Sequence, residues 1–93
     1  MSQEEFEQNT FIKYTFGSER LCLTIKLLQY DYVEFIGLCT DICVVSNALA
    51  VKAAFPEAQV KCIADCCAPL FGDPKRQESA LTVMESCQVD VIR

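Results

Sequence analysis

The chain reads as an α/β domain built on a parallel sheet, and three observations predict it. Short β-prone runs alternate with helical runs along the chain in the order β-α-β-α-β-α-β, the pattern of strands joined by right-handed helical crossovers. The run Val33 to Leu38 is nearly continuous apolar sequence, which suits a strand covered by helices on both faces. The length of 93 residues, 52% of them hydrophobic, suits one domain at most, with a modest core.

Residues 1–9 form a polar leader, acidic at Glu4, Glu5 and Glu7, and are expected to fray. The body runs from residue 10 to residue 93. Thr10-Phe11-Ile12-Lys13-Tyr14-Thr15 is rich in branched and aromatic residues and predicts a short strand. Gly17 and Ser18 then mark a turn and a helix cap. From Glu19 to Gln29, Leu21, Ile25 and Leu28 recur at helical spacing, with Cys22 and Leu27 widening the face. After the strand at 33–38 comes an alanine-rich helix at 41–55 that Pro56 stops. Gln59 to Asp65 predicts the next strand, and the stretch Cys66 to Pro74, with its glycine and two prolines, predicts a loop. Lys75 to Ser86 reads as a helix with Ala80, Leu81, Val83 and Met84 on its apolar side, and Gln88 to Ile92 as a last strand.

A net charge of −5 and scattered basic residues disfavour nucleic acid and anionic membrane as partners, because nothing here displaces counterions from phosphate. No apolar run is long enough to span a bilayer, and the acidic start does not resemble a secretory signal. The seven cysteines, Cys22, Cys39, Cys43, Cys62, Cys66, Cys67 and Cys87, are odd in number and mostly stand inside apolar runs. That pattern fits reduced thiols in the cytoplasm rather than a disulfide scaffold. With no histidine and no C-x-x-C pair, no metal site is expected from this chain alone.

Chemistry is expected at the carboxyl ends of the strands, where Lys13, Cys39, Cys43 and Asp65 fall. The stretch Gly37 to Asn47 joins a strand to a helix and places Cys43 in the helix's first turn. Unpaired N–H groups and the positive end of the macrodipole stabilise a thiolate there. A buried cysteine acting as a small hydrophobe is the plainer reading of that position. Lys13 by itself reads as a solvated lysine near a strand end, Asp41 as a first-turn acid favourable to the dipole, and Asp65 as a turn residue.

The residues Phe11 to Ser18, Glu34 to Leu49 and Asp65 to Ala68, with weaker support from Ala80 to Val89, resemble the isochorismatase-like cysteine hydrolases, which include nicotinamidases. The resemblance spans roughly residues 10 to 92 in one register. It implies a three-layer α/β/α parallel sheet, here an incomplete version matching the family's C-terminal half. By it, Cys43 matches the nucleophile that attacks an amide carbonyl to form a thioester, and Lys13 matches the lysine that favours the thiolate. The backbone N–H groups of Cys39 and Cys43 match the oxyanion hole, and the Leu38-Cys39 peptide matches a cis bond.

The resemblance also implies what this chain lacks. The family's N-terminal half carries the general-base aspartate, the ligands for a divalent metal such as zinc where one is used, much of the substrate pocket, and two strands between those matched by 10–14 and 33–38. The leading expectation is a cytoplasmic hydrolase of a C–N amide bond in a small molecule, with no cofactor held by this chain alone. The expected association is with copies of itself or with the missing half-domain. The alternative is a catalytically inactive fragment or pseudoenzyme serving as a structural or interaction module. A thiol redox protein ranks last, because Cys66 and Cys67 are too strained a neighbour pair for an ordinary disulfide.

Overall fold

The computed structural model describes residues 2–93. Ser2 caps a first short helix, α1 (Gln3–Gln8), its hydroxyl accepting from the Glu5 N–H at 3.1 Å, so the acidic leader is helical. Residues 10–18 then run without regular structure, which corrects the strand expected at 10–15. A strand needs a ladder partner and a face to bury, and this segment has neither: Tyr14 is 97% exposed. Tertiary placement overrides its β propensity.

Ser18 opens α2 (Glu19–Leu27) by accepting the Leu21 N–H, the ordinary N-cap bond. Three strands follow in the chain, β1 (Tyr32–Leu38), β2 (Gln59–Ala68) and β3 (Asp90–Ile92), and they form one parallel sheet in the order β1-β2-β3. Between β1 and β2 lies α3 (Val45–Ala54), preceded by a π-helical turn over Thr40–Val44. The helix expected over 41–55 thus begins with a wider turn, closed by the Val44 N–H on the Cys39 carbonyl at 3.1 Å. Between β2 and β3 lie a 3-10 turn (Leu70–Gly72) and α4 (Pro74–Ser86). Asp73 caps α4, and Pro74 occupies its first turn, where a missing N–H costs nothing.

β2 is longer than its sequence predicts. Its ladder with β1 pairs Phe35 with Cys62 and then Gly37 with Cys67, with a register shift between them. One residue of β1, Ile36, thus stands against four of β2, Ile63 to Cys66, of which Ile63 still pairs with Ile92 of β3, and the excess forms a bulge. Beyond the bulge, Cys67 and Ala68 rejoin the ladder opposite Gly37 and Leu38, so the loop expected from Cys66 is strand through Ala68. Gly37, at φ 128°, holds a backbone conformation open mainly to glycine.

The core is one cluster that includes Ile25 of α2, Ala48 and Val51 of α3, Val60 and Cys62 of β2, and Leu81 and Met84 of α4. Fully burying such a side chain is worth about 1.5–3 kcal/mol, so this layer accounts for most of the fold's cohesion. It lies on one face of the sheet only. Along β1 exposed and half-buried residues alternate, and Ile36 and Leu38 of the other face are 64% and 71% exposed. The nearly continuous apolar run therefore corresponds to a strand covered by this chain's helices on one side, not both. No helix among the described residues is long and apolar enough to cross a membrane.

Candidate active site

β1 ends at Leu38, the Leu38-Cys39 peptide is cis, and the chain turns at once into the π-helical turn. That turn sets Cys43 beyond the carboxyl end of the sheet's edge strand, half-buried. Its partner comes from the irregular segment 10–18: Lys13 Nζ lies 3.6 Å from Cys43 Sγ. A cation at that distance stabilises negative charge on the sulfur. Lys13 also lies 5.8 Å from the Phe16 ring centroid, within cation–π reach. Among the described residues no carboxylate forms an ion pair with Lys13. A cleft of about 520 Å³ opens beside Lys13, lined by Ile12, Thr15, Ser18, Glu19 and Arg20 among others but not by Cys43.

The residue that joins the two halves of this site is Asn47, which the sequence reading missed. Its side chain is buried in the first turn of α3 and makes three hydrogen bonds. The Oδ1 accepts the Ser18 N–H at 2.8 Å, while the Nδ2 donates to the Phe16 carbonyl at 3.0 Å and to the Cys43 carbonyl at 2.8 Å. One amide thereby fixes the end of the Lys13 segment to the backbone of Cys43. The available signal was its context: an asparagine within an Ala- and Val-rich helix competes with the backbone for hydrogen bonds and favours that position only with partners of its own.

Asp41 stands apart from this chemistry. It accepts the Leu70 N–H at 2.9 Å and pairs with the Arg76 guanidinium, tying the π-helical turn to the start of α4. The Leu70 bond first, and Arg76 with it, hold its carboxyl below the usual carboxylate range. A second groove of about 500 Å³ between that turn and α4 is lined by Asp41, Val45, Arg76 and Val83 among others, but by neither Lys13 nor Cys43. Asp65 is exposed in the β2 bulge. Cys39 precedes the turn, and its carbonyl accepts from both Ile42 and Val44.

These elements define a parallel α/β domain with a cysteine at a strand-to-helix turn and a lysine against its sulfur. No family model and no curated protein matches the sequence. Among solved structures, the nicotinamidase of Staphylococcus aureus superposes with a TM-score of 0.74 at 22% identity, over 97% of this chain and 60% of that one. The pyrazinamidase of Pyrococcus horikoshii, in complex with zinc, gives 0.73 at 20%, over 88% and 45%. An isochorismatase-like hydrolase from Alkaliphilus metalliredigens gives 0.69 at 24%, over 86% and 44%. The chain has the fold of the isochorismatase-like hydrolases, in a partial form, and spans about half the length of these structures.

The residues of this chain do not fit a zinc ion like that of the Pyrococcus protein. There is no histidine, and among the described residues no group of three His, Cys, Asp or Glu side chains could hold a metal.

Proposed function

We propose that this chain carries the nucleophile of a cysteine-dependent hydrolase that cleaves a C–N amide bond in a small molecule, as nicotinamidases do. The observation that carries the reading is the 3.6 Å contact between Lys13 Nζ and Cys43 Sγ at the carboxyl end of β1, within a fold shared with nicotinamidase and pyrazinamidase structures. In the proposed reaction Cys43 Sγ attacks the amide carbonyl carbon. The oxyanion that forms is held by the backbone N–H groups of Cys39 and Cys43, each such donor being worth about 3 kcal/mol in other hydrolases. Lys13 steadies the thiolate before attack and the negative charge after it. Collapse releases the amine and leaves a thioester on Cys43, which water then hydrolyses.

Proton transfer to the leaving amine and activation of that water call for an acid–base group, and no carboxylate among the described residues bonds Lys13 or Cys43. That observation favours a second reading, a catalytically inactive structural or interaction module. The free state of all seven cysteines suits action in the reducing cytoplasm. The open sheet face with Ile36 and Leu38 exposed suits association with further polypeptide, a second copy or a complementing half-domain.

Incubation with nicotinamide, with ammonia measured against time, separates the readings. Turnover by the wild-type chain that Cys43→Ala abolishes supports the hydrolase. Full ammonia release by Cys43→Ala sinks it, and no turnover together with no acyl adduct on Cys43 from an activated ester favours the inactive module.

A further inference from the structure

The bulge in β2 does something the proposed hydrolysis does not use. Because Ala64 to Cys66 lie between the residues of β2 that pair with its neighbours, Ile63 being the last to face β3 and Cys67 the next to face β1, Cys62 and Cys67 come together across the neck of the bulge. They are five residues apart in a strand, a span of roughly 17 Å if the strand were regular, yet their sulfurs are 3.9 Å apart. Among the described residues this is the one cysteine pair in sulfur–sulfur contact. Cys62 is fully buried, Cys67 is half-buried, and Cys66 beside it is exposed. Cys67 Sγ also lies 3.9 Å from the Phe35 carbonyl oxygen, so the pair sits against β1 just before Gly37.

We propose that Cys62 and Cys67 form an oxidisable dithiol, a modification site whose co-reactant is a hydroperoxide and whose product is a disulfide across the neck of the bulge. The sulfurs already touch, and bonding needs them to close by about 2 Å, a movement that side-chain rotation can supply. Cys67, the more accessible of the two, reacts first. Its thiolate attacks one peroxide oxygen, an S–O bond forms, the O–O bond breaks, and an alcohol leaves; the sulfur is oxidised and the peroxide reduced by two electrons. Cys62 then attacks the Cys67 sulfur. The S–S bond forms, the S–O bond breaks, and the oxygen leaves as water with the Cys62 proton. Burial first, and the neighbouring Cys67 second, push the Cys62 thiol up to about 12, which leaves the first attack on the peroxide to Cys67.

This pairing differs from the vicinal pair Cys66-Cys67. Here the ladder, not sequence adjacency, brings the thiols together.

The test is limited oxidation of the folded chain with tert-butyl hydroperoxide, followed by alkylation with iodoacetamide and tryptic mapping without reductant. Cleavage after Lys61 and Lys75 yields a single peptide, Cys62 to Lys75, that holds all three thiols. The expected product lacks two hydrogens and carries a single label, on Cys66. Cys66→Ala should still close the pair, and Cys67→Ala should lose it completely. Cys62→Ala should lose it as well, and if that buried substitution unfolds the chain, Cys67→Ala decides alone. A Cys66–Cys67 or intermolecular disulfide, or label on all three thiols after Cys87 has been oxidised, overturns the proposal. Reduction by dithiothreitol should restore three labels, and loss of that reversibility overturns it too. None of these readouts depends on amide hydrolysis, so the dithiol and the hydrolase readings stand or fall separately.

Discussion

The two residues that meet at the candidate site get there by different means. Cys43 rides on Gly37 to Asn47, a strand end, a π-helical turn and a helix that are all part of the packed layer, with Val44, Ala48 and Val51 buried beneath. Lys13 rides on Thr10 to Ser18, which has no ladder and exposes Ile12, Tyr14 and Phe16. Its firmest attachment is one buried amide at Asn47. A site built half from core and half from tether can lose one partner without losing the other, whereas damage to the core removes both.

The largest effect should come from the core half. Met84 is fully buried in α4, and Met84→Ala should cost about 2–5 kcal/mol through lost burial and the cavity left behind. Small domains have only about 5–15 kcal/mol in total. Urea unfolding followed by far-UV circular dichroism should show the loss, and thiol-labelling of the buried Cys22 and Cys62 should accelerate together. If Cys62 alone became reactive, the packed layer would not be one cooperative unit.

Asn47→Ala should come next, at about 1–3 kcal/mol, because it leaves the Ser18 N–H buried without a partner. The difference from Met84→Ala lies in where the damage shows. Hydrogen exchange should rise at Ser18 and through residues 10–18 while α3 and the sheet stay protected, since the residues of α3 that face the core are untouched. Equal loss of protection in both regions would end the distinction between core and tether.

The same contrast separates what the sequence disclosed from what it hid. β1, α3 and α4 are written in local patterns: an apolar run, an alanine-rich stretch before Pro56, a Pro74 that fits a first turn. Their existence and order follow from residues near in sequence. The β2 bulge does not, because its register is set by Gly37 and Phe35 of another strand. The failed strand at 10–15 has the same cause in reverse, a β-prone run with no neighbour to pair with. No spacing rule could bring Lys13 to a cysteine 30 residues away; only the family resemblance suggested that the two act together. Asn47 left a faint mark as a polar residue in an apolar helix, but its partners at Phe16 and Ser18 depend on the fold.

Asp41 offers a pH test within the core half. Its carboxyl is held below the ordinary value of 3.8, first by the Leu70 N–H and then by Arg76. A group whose value falls on folding stabilises the fold while ionised, and that stability is lost as pH drops from the unfolded value through the folded one. Wild type should therefore be more stable than Asp41→Asn by a constant margin from neutrality down to about pH 5, and the margin should shrink at lower pH. Thermal melts of both proteins across that range would reveal it. A margin that does not change with pH would mean that Asp41 acts through shape rather than charge.

The smallest stability change, and the sharpest test of the tether, should come from Lys13→Met. Lys13 takes part in no ion pair among the described residues, and its ammonium meets Cys43 Sγ at an exposed contact. Exposed substitutions of this kind shift stability by no more than about 0.5 kcal/mol, so the melting temperature should scarcely move. The rate at which iodoacetamide labels Cys43 at neutral pH should nevertheless fall, because the positive charge 3.6 Å from its sulfur is gone while the methylene stem still fills its place. Lys13→Arg should recover part of that rate, since it restores the charge but not the compact ammonium. The two readouts have to separate for the tether to be what the geometry makes it, a segment whose contribution is one positive charge. If labelling is unchanged in Lys13→Met, the cysteine owes its reactivity to the turn alone. If stability falls by several kcal/mol, residues 10–18 belong to the core after all.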